Sequence, residues 1–132
     1  VTVVGSHEAL VSLCGQWADE PVVVQEYIAN NGWDIKLWVV GRRVFAAHRP
    51  SPLEERPGGT IPVQGDLAAR WVRLVAEVGR VFELDLFGVD LLSSAHMVVD
   101  VNAFPGYRGV PEAVPALAAW VEALTTRAEV AA

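Results

Sequence analysis

Two pairs of β-type segments joined by short connections constrain the fold of this chain more than any other feature. Trp33–Val40 and Arg43–Ala47 are rich in β-branched residues, and only two residues separate them. Leu86–Leu92 and Met97–Val101 are joined by a turn at Ser93–His96. Because connections this short join neighbouring antiparallel strands, the sequence predicts antiparallel hairpins rather than a parallel sheet.

The remaining segments predict helices around this sheet. We expect a helix over 6–18 with Ser6 as its N-cap, a second helix capped by Asp66, and a last helix over 111–128. Val22–Ile28 reads as a further strand, and Arg49–Gly65, with four prolines and three glycines, as a long flexible loop. The predicted class is α+β, an antiparallel sheet with flanking helices, in a single domain over 1–132.

Composition excludes several classes of protein. The net charge of −6 argues against nucleic-acid binding, which needs a basic face. One cysteine, Cys14, cannot form an internal disulfide or a multi-cysteine zinc site. The sequence has neither an apolar run of about 18 residues nor a signal peptide, so we expect no membrane association and a cytoplasmic location.

Two features predict that the chain is a fragment of a larger protein. It has no initiating methionine, and its mean hydropathy of +0.32 implies more apolar surface than a small domain can bury. Such surface would also suit a homodimer.

Candidate metal ligands lie in the last hairpin. If its turn is centred on Ala95, Asp90 lies opposite Asp100, and Asn102 emerges on the same face while Val99 and Val101 point into the core. Two carboxylates and an amide oxygen suit a hard cation such as magnesium. A register differing by one residue would instead leave two separate exposed carboxylates.

The turn after this hairpin is a second candidate. Pro105-Gly106 fits the centre of a type II turn, which would place the Gly106 amide beside the metal ligands, where it could meet a phosphate or substrate oxygen. An ordinary strand-to-helix turn is the alternative.

A third candidate is Lys36, the only lysine of the chain, on the same strand face as Asp34 and Trp38. A lysine in an apolar strand needs an anion such as phosphate, unless it snorkels from an edge strand. Trp38 is explained by packing or by contact with a nucleotide.

In these residues the chain resembles the C-terminal half of ATP-grasp enzymes, most closely RimK-type amino-acid ligases. The resemblance implies an adenine hinge at Gln25, Glu26, Tyr27 and Ile28, nucleotide contacts from Asp34 and Lys36, and magnesium on Asp90, Asp100 and Asn102. It also implies phosphate contacts from Lys36 and Arg49 and substrate contacts from Asn102 and Gly106. The segments that carry it are VQEYI (24–28), DIKLWVVG (34–41), FGVD (87–90) and DVNAFPGY (100–107).

The implied activity is ATP- and Mg²⁺-dependent ligation of a small-molecule or peptide carboxylate to an amine through an acylphosphate, with Mn²⁺ as a possible substitute. Two segments resemble inositol trisphosphate kinases instead: Arg49-Pro50-Ser51 and the sequence NAFPGY at 102–107. This second resemblance implies phosphoryl transfer to a polyol phosphate. A third hypothesis is a non-catalytic domain that binds a nucleotide or a protein partner. In each case we expect the chain alone to be inactive.

Overall fold

A computed structural model describes residues 1–17, 20–53, 58–94 and 97–131 of the chain, with side chains up to residue 126. Within these ranges three helices accompany a five-stranded antiparallel sheet of order β3-β2-β1-β4-β5. The elements are α1 (His7–Gln16), β1 (Trp33–Val40), β2 (Arg43–Pro50), β3 (Ile61–Pro62), α2 (Ala69–Phe82), β4 (Leu86–Leu92), β5 (Met97–Asn102) and α3 (Ala113–Ala131). The predicted α+β class is confirmed.

β1 is the central strand, and its position brings distant parts of the chain together. It pairs antiparallel with β2 through the short turn at Gly41-Arg42, with Lys36 opposite Ala47. On its other side it pairs antiparallel with β4, with Lys36 opposite Asp90. Side chains alternate between the two faces of each strand, so every second residue of β1 shares a face with partners from both neighbours.

The main core lies on the face of the sheet covered by α2. The alternating residues Ile35, Leu37 and Val39 of β1 pack there against Trp71 and Val75 of α2. The apolar residues that recur every three or four positions in α2 therefore pack in one layer against the apolar residues that alternate along the strands.

The opposite face is covered only in part. Trp38 packs there with Ala47, Val110 and Ala113, the first residue of α3. This cluster buries the end of the face nearest the β1–β2 turn. The polar side chains of β1, β4 and β5 occupy the rest of the same face.

Gly41 fixes the β1–β2 turn, because it adopts a φ of +58° and faces the indole of Trp120. A Cβ at this position would lie 2.7 Å from Trp120 Cδ1. We expect Gly41→Ala to lower the free energy of unfolding by about 1–3 kcal/mol, measured by urea denaturation. Gly59→Ala is the matched control, since among the described residues no atom beyond its chain neighbours lies within 4 Å of its added Cβ. Equal stability of the two variants would contradict this packing.

Several predicted boundaries change in the structure. The helix over 6–18 is confirmed as His7–Gln16, with Ser6 Oγ accepting from Ala9 N at 3.2 Å; residue 18 lies outside the described residues. Asp66 does not cap α2, whose N-cap is Ala68 without a side-chain hydrogen bond. The last helix, predicted over 111–128, spans 113–131.

The strand predicted at Val22–Ile28 is wrong, because the structure gives no strand between residues 20 and 32. β-Branched composition favours an extended chain, but a strand also needs a neighbour to complete its hydrogen bonds. The loop predicted over 49–65 is also interrupted, since β2 continues to Pro50 and β3 covers Ile61–Pro62. Residues 54–57 of that loop lie outside the described residues.

Among the parts of the chain that the structure describes, no helix combines the length and the apolar character needed to cross a membrane.

Candidate functional site

A row of charged side chains crosses three adjacent strands on the partly covered face. Lys36 of β1 lies opposite Asp90 of β4, and Asp90 lies opposite Asp100 of β5. Asn102 follows two residues later on β5, opposite Gly88. The predicted pairing of Asp90 with Asp100 is confirmed, although residues 95 and 96 of the predicted turn lie outside the described residues.

The hairpin is not regular along its whole length. The register shifts between Asp90 and Leu91, so that Leu91 pairs with Val98 and Val99 is left as the extra residue. Val99 is 36% exposed rather than buried in the core, which corrects the prediction for that residue. Val101 does pack against the core beneath α2. The irregularity thus ends at the position where Asp90 and Asp100 face each other.

Lys36 and Asp90 form a close ion pair. Lys36 Nζ donates to both carboxylate oxygens of Asp90, at 2.7 Å and 2.9 Å. The lysine is only 7% exposed, and its ammonium lies 5.8 Å from the ring centroid of Trp38. The anion that a lysine in this strand requires is therefore the carboxylate of Asp90, which itself lies opposite the exposed Asp100.

The row can offer oxygen atoms to a cation. Asp100 and Asn102 are exposed, and Asn102 Oδ1 accepts a hydrogen bond from Phe104 N at 2.8 Å, which orients the amide. Within the described ranges, no group of three or more histidine, cysteine, aspartate or glutamate side chains is placed to hold a metal ion. The donor set here is two carboxylates and one amide oxygen, which fits the chemistry of Mg²⁺, a cation that keeps several waters or phosphate oxygens as further ligands.

Asp34 forms a second polar group on the same face. Asn30 Nδ2 donates to Asp34 Oδ1 at 2.8 Å, and the side chain of buried Ser51 also hydrogen-bonds to the carboxylate. Burial, with a smaller contribution from the charge of Asp90, raises the pKa of Asp34 despite these hydrogen bonds and the nearby Arg49. Asp34 and Arg49 are register partners, so β2 delivers both Arg49 and Ser51 to this group.

The raised pKa of Asp34 predicts a pH-dependent mutant effect. The carboxyl group binds its proton more tightly in the folded protein than in the unfolded chain, so ionised Asp34 costs stability above its folded pKa. This cost is relieved as the pH falls through the folded pKa. Because a carboxamide side chain cannot ionise, we expect Asp34→Asn to become more stable relative to the wild type as the pH rises from about 3 to 7. Urea unfolding across this range would measure it; a pH-independent difference would contradict the prediction.

Gly106 lies next to this face but not in the predicted conformation. It is not among the glycines with positive φ, so the type II turn is wrong, and Gly109 has the positive φ of +82° instead. The carbonyl oxygen of Gly106 accepts a hydrogen bond from Trp38 Nε1 at 2.9 Å. Trp38 is thus a packing residue that also anchors this turn, 1% exposed and not open to a nucleotide.

The predicted hinge lies outside this row. Gln25, Glu26 and Tyr27 are exposed and Ile28 is partly buried, all within the irregular segment that leads into β1. The end of that segment is attached to the β4–β5 turn, where Ser94 Oγ donates to Ala29 O at 3.1 Å and Ser93 Oγ to Asn31 Oδ1 at 2.7 Å. The structure therefore gathers Asp34, Lys36, Arg49, Asp90, Asp100 and Asn102 on one face, and leaves the hinge residues on the approach to it.

Sequence reasoning gave three residues no role at this face, although Ser51 and Gly88 lie in segments that carry the family resemblances. Asn30 and Ser51, the partners of Asp34, do not belong to any hydrophobic repeat of a helix or strand. Only their positions, in the turn before β1 and just after β2, could have suggested that they lie near Asp34. Gly88 is the third: an added Cβ would lie 2.9 Å from Pro105 Cβ and 3.6 Å from Lys36 Cε. The available signal was its place two residues before Asp90, where a missing side chain lets the turn approach the sheet.

Comparison with known proteins gives a consistent family. A family model described as the RimK-like ATP-grasp domain matches residues 1–115. "Probable alpha-L-glutamate ligase 2" of Hahella chejuensis is 37% identical over 100 residues, covering 69% of this chain and 33% of that protein. "Probable alpha-L-glutamate ligase" of Picosynechococcus is 33% identical over 122 residues, covering 83% of this chain and 40% of that protein.

A kinase is also among the similar proteins. "Inositol-tetrakisphosphate 1-kinase" of Xenopus laevis is 28% identical over 131 residues, covering 74% of this chain and 33% of the kinase. The chain spans about a third of the length of the curated relatives it matches.

Proposed function

The chain belongs to the RimK-like ATP-grasp family, and from this premise we propose that it forms part of an ATP-dependent carboxylate–amine ligase. Its part is the side of the ATP site that holds the metal and the adenine hinge. The observation that carries the proposal is the row of Lys36, Asp90 and Asp100 across three strands, with Asn102 beside it.

In this reaction a substrate carboxylate takes the terminal phosphoryl group of ATP, which releases ADP and forms an acylphosphate. An amine then attacks the acyl carbon, the C–O bond to phosphate breaks, and an amide and free phosphate result. The residues named here are not required to move protons in either step, so their contribution is to position the reactants and to stabilise charge.

Asp90, Asp100 and Asn102 are the residues we propose to hold magnesium. When bound, the ion supplies positive charge to neutralise phosphate oxygens. Lys36 would contact phosphate from the buried side of the row, and Arg49 from the end of β2. Asp34, held by Asn30 and Ser51, would line the pocket beside them.

The hinge remains a proposal on the resemblance to the family. Gln25, Glu26, Tyr27 and Ile28 lie in the irregular segment before β1, and adenine contacts there would come from backbone groups. Gly106 and Asn102 are proposed as substrate contacts, and the hydrogen bond from Trp38 Nε1 to the Gly106 carbonyl anchors this part of the chain beside the row.

Phosphoryl transfer to a polyol phosphate is the second candidate. The similarity to the Xenopus kinase over 74% of this chain favours it, as does Ser51 next to Arg49-Pro50 in a buried hydrogen bond with Asp34.

Free phosphate release separates the two candidates. The complete protein would be incubated with ATP, Mg²⁺ and mixtures of amino acids and peptides, and in parallel with inositol phosphates. A ligase releases phosphate and ADP in equal amounts only when carboxylate and amine are both present. ADP formation without free phosphate, on addition of an inositol phosphate, would overturn the ligase proposal in favour of the kinase.

A further inference from the structure

The ion pair at the centre of the proposed site places a positive charge where a cation would bind. Both oxygens of Asp90 accept hydrogen bonds from Lys36 Nζ, at 2.7 Å and 2.9 Å. The side chains are 8% and 27% exposed, so water screens this pair less than it would a surface pair. Asp90 is therefore already neutralised before any metal arrives.

This arrangement weakens the row as a site for a cation alone. Lys36, Asp90 and Asp100 carry one positive and two negative charges, so the net charge facing a divalent cation is −1 rather than −2. The ammonium also repels the cation at close range, and such repulsion is strong where burial lowers the effective dielectric.

The same ammonium is also free to serve an anion. A lysine carries three donor hydrogens on a flexible stem, and its two hydrogen bonds to Asp90 leave one donor. The stem lies over Gly88, where an added Cβ would be 3.6 Å from Lys36 Cε and 2.9 Å from Pro105 Cβ, so the stem runs beside the turn that contains Pro105. A phosphate that draws the ammonium toward itself would release oxygen lone pairs of Asp90.

We propose that Lys36 couples phosphate and cation binding: each one strengthens the other, because both act on the Lys36–Asp90 pair. The proposal rests on the proposed function, since it assumes that Asp90 and Asp100 are the cation ligands. The coupling is reciprocal, so phosphate must increase the affinity for the cation by the same factor as the cation increases that for phosphate. In this role Lys36 keeps the metal ligands weak until the phosphates are present.

The first test measures binding of Mn²⁺ alone to the chain, by the electron paramagnetic resonance signal of free Mn²⁺. We expect Lys36→Met to bind Mn²⁺ at least about tenfold more tightly than the wild type, and Lys36→Arg, which keeps the charge, to bind like the wild type. Circular dichroism checks that both variants are folded. A Lys36→Met affinity equal to or weaker than that of the wild type would overturn the coupling.

A second measurement uses the unmodified protein and so does not depend on a variant that leaves Asp90 unpaired. Because Lys36 is the only lysine, ¹³Cε-lysine labelling gives one NMR signal that reports its surroundings. We expect inorganic phosphate to shift this signal, and to lower the Mg²⁺ concentration at half-effect by about tenfold. An unchanged Mg²⁺ midpoint would overturn the coupling.

Asp100→Asn distinguishes failure of this inference from failure of the proposed function. If Asp100→Asn weakens Mn²⁺ binding while Lys36→Met leaves it unchanged, the cation site stands and the coupling is wrong. If millimolar Mn²⁺ binds to none of the wild type, Lys36→Met and Asp100→Asn proteins, the proposed cation site is wrong, and the coupling is wrong with it.

Discussion

Replacing Asp100 by alanine in the complete protein is expected to lower ATP-dependent turnover by about 100- to 1000-fold or more, because it removes one of the two carboxylates proposed to hold the metal. Asp100 is exposed on the edge strand β5, so the substitution removes little packing. We expect the free energy of unfolding to change by no more than about 0.5 kcal/mol. Steady-state release of ADP, with urea denaturation in parallel, measures both effects.

Asp66→Ala is the matched control for this change. It removes the same charge from an exposed position before α2, where the side chain caps no helix. Activity of Asp66→Ala should therefore match the wild type. Normal activity of Asp100→Ala would remove Asp100 from the site, and unfolding of Asp100→Ala would show that the residue acts on the fold instead.

Replacing Trp38 by alanine has the largest expected effect on stability, a loss of about 3–5 kcal/mol in the free energy of unfolding. The side chain is 1% exposed and packs with Ala47, Val110 and Ala113, so its removal leaves a cavity between the sheet and the start of α3. The change also removes the hydrogen bond from Trp38 Nε1 to Gly106 O, 2.9 Å long. Since domains are stable by about 5–15 kcal/mol, this is a large share of the total.

Two further variants separate the causes of this loss. Trp38→Phe keeps most of the apolar packing and removes the hydrogen-bond donor, so we expect a loss of about 1–3 kcal/mol. Phe82→Ala truncates an aromatic residue that is largely exposed at the end of α2, and should cost less than about 1 kcal/mol. A Trp38→Ala protein as stable as Phe82→Ala would contradict the packing of this face.

The local part of the fold could be predicted because short turns leave few alternatives. The two residues between β1 and β2 fix their antiparallel pairing. The length of the last hairpin does not by itself place Asp90 opposite Asp100, because Leu92 pairs with Met97 next to the turn and the extra residue Val99 then shifts the register by one. The bulge at Val99 could not be read in the same way, since its position depends on how β5 packs at the sheet edge. Val22–Ile28 likewise has the composition of a strand but does not form one, because β propensity does not supply the neighbouring strand that backbone pairing needs.

The centre of the candidate site depended on a contact between distant parts of the chain. A lone lysine in an apolar strand predicts an anion nearby, but nothing local to β1 identifies Asp90, which lies 54 residues away. The pairing of β1 with β4 supplies it. The same adjacency explains why the charge of Asp90 affects Asp34. The pairing of β1 with β2 explains why Arg49, opposite Asp34, and Ser51, just after β2, reach the same face.

Calorimetric titration of the chain with ATP and Mg²⁺, alongside Asp100→Asn, tests the central claim most directly. We predict measurable binding to the wild type and its loss in Asp100→Asn, which preserves the size of the side chain but removes its charge and replaces one acceptor oxygen by an amide donor. Equal binding by the two proteins would contradict the role of Asp100. Absence of binding to both would contradict the claim that this face, by itself, forms the metal and phosphate side of a nucleotide site.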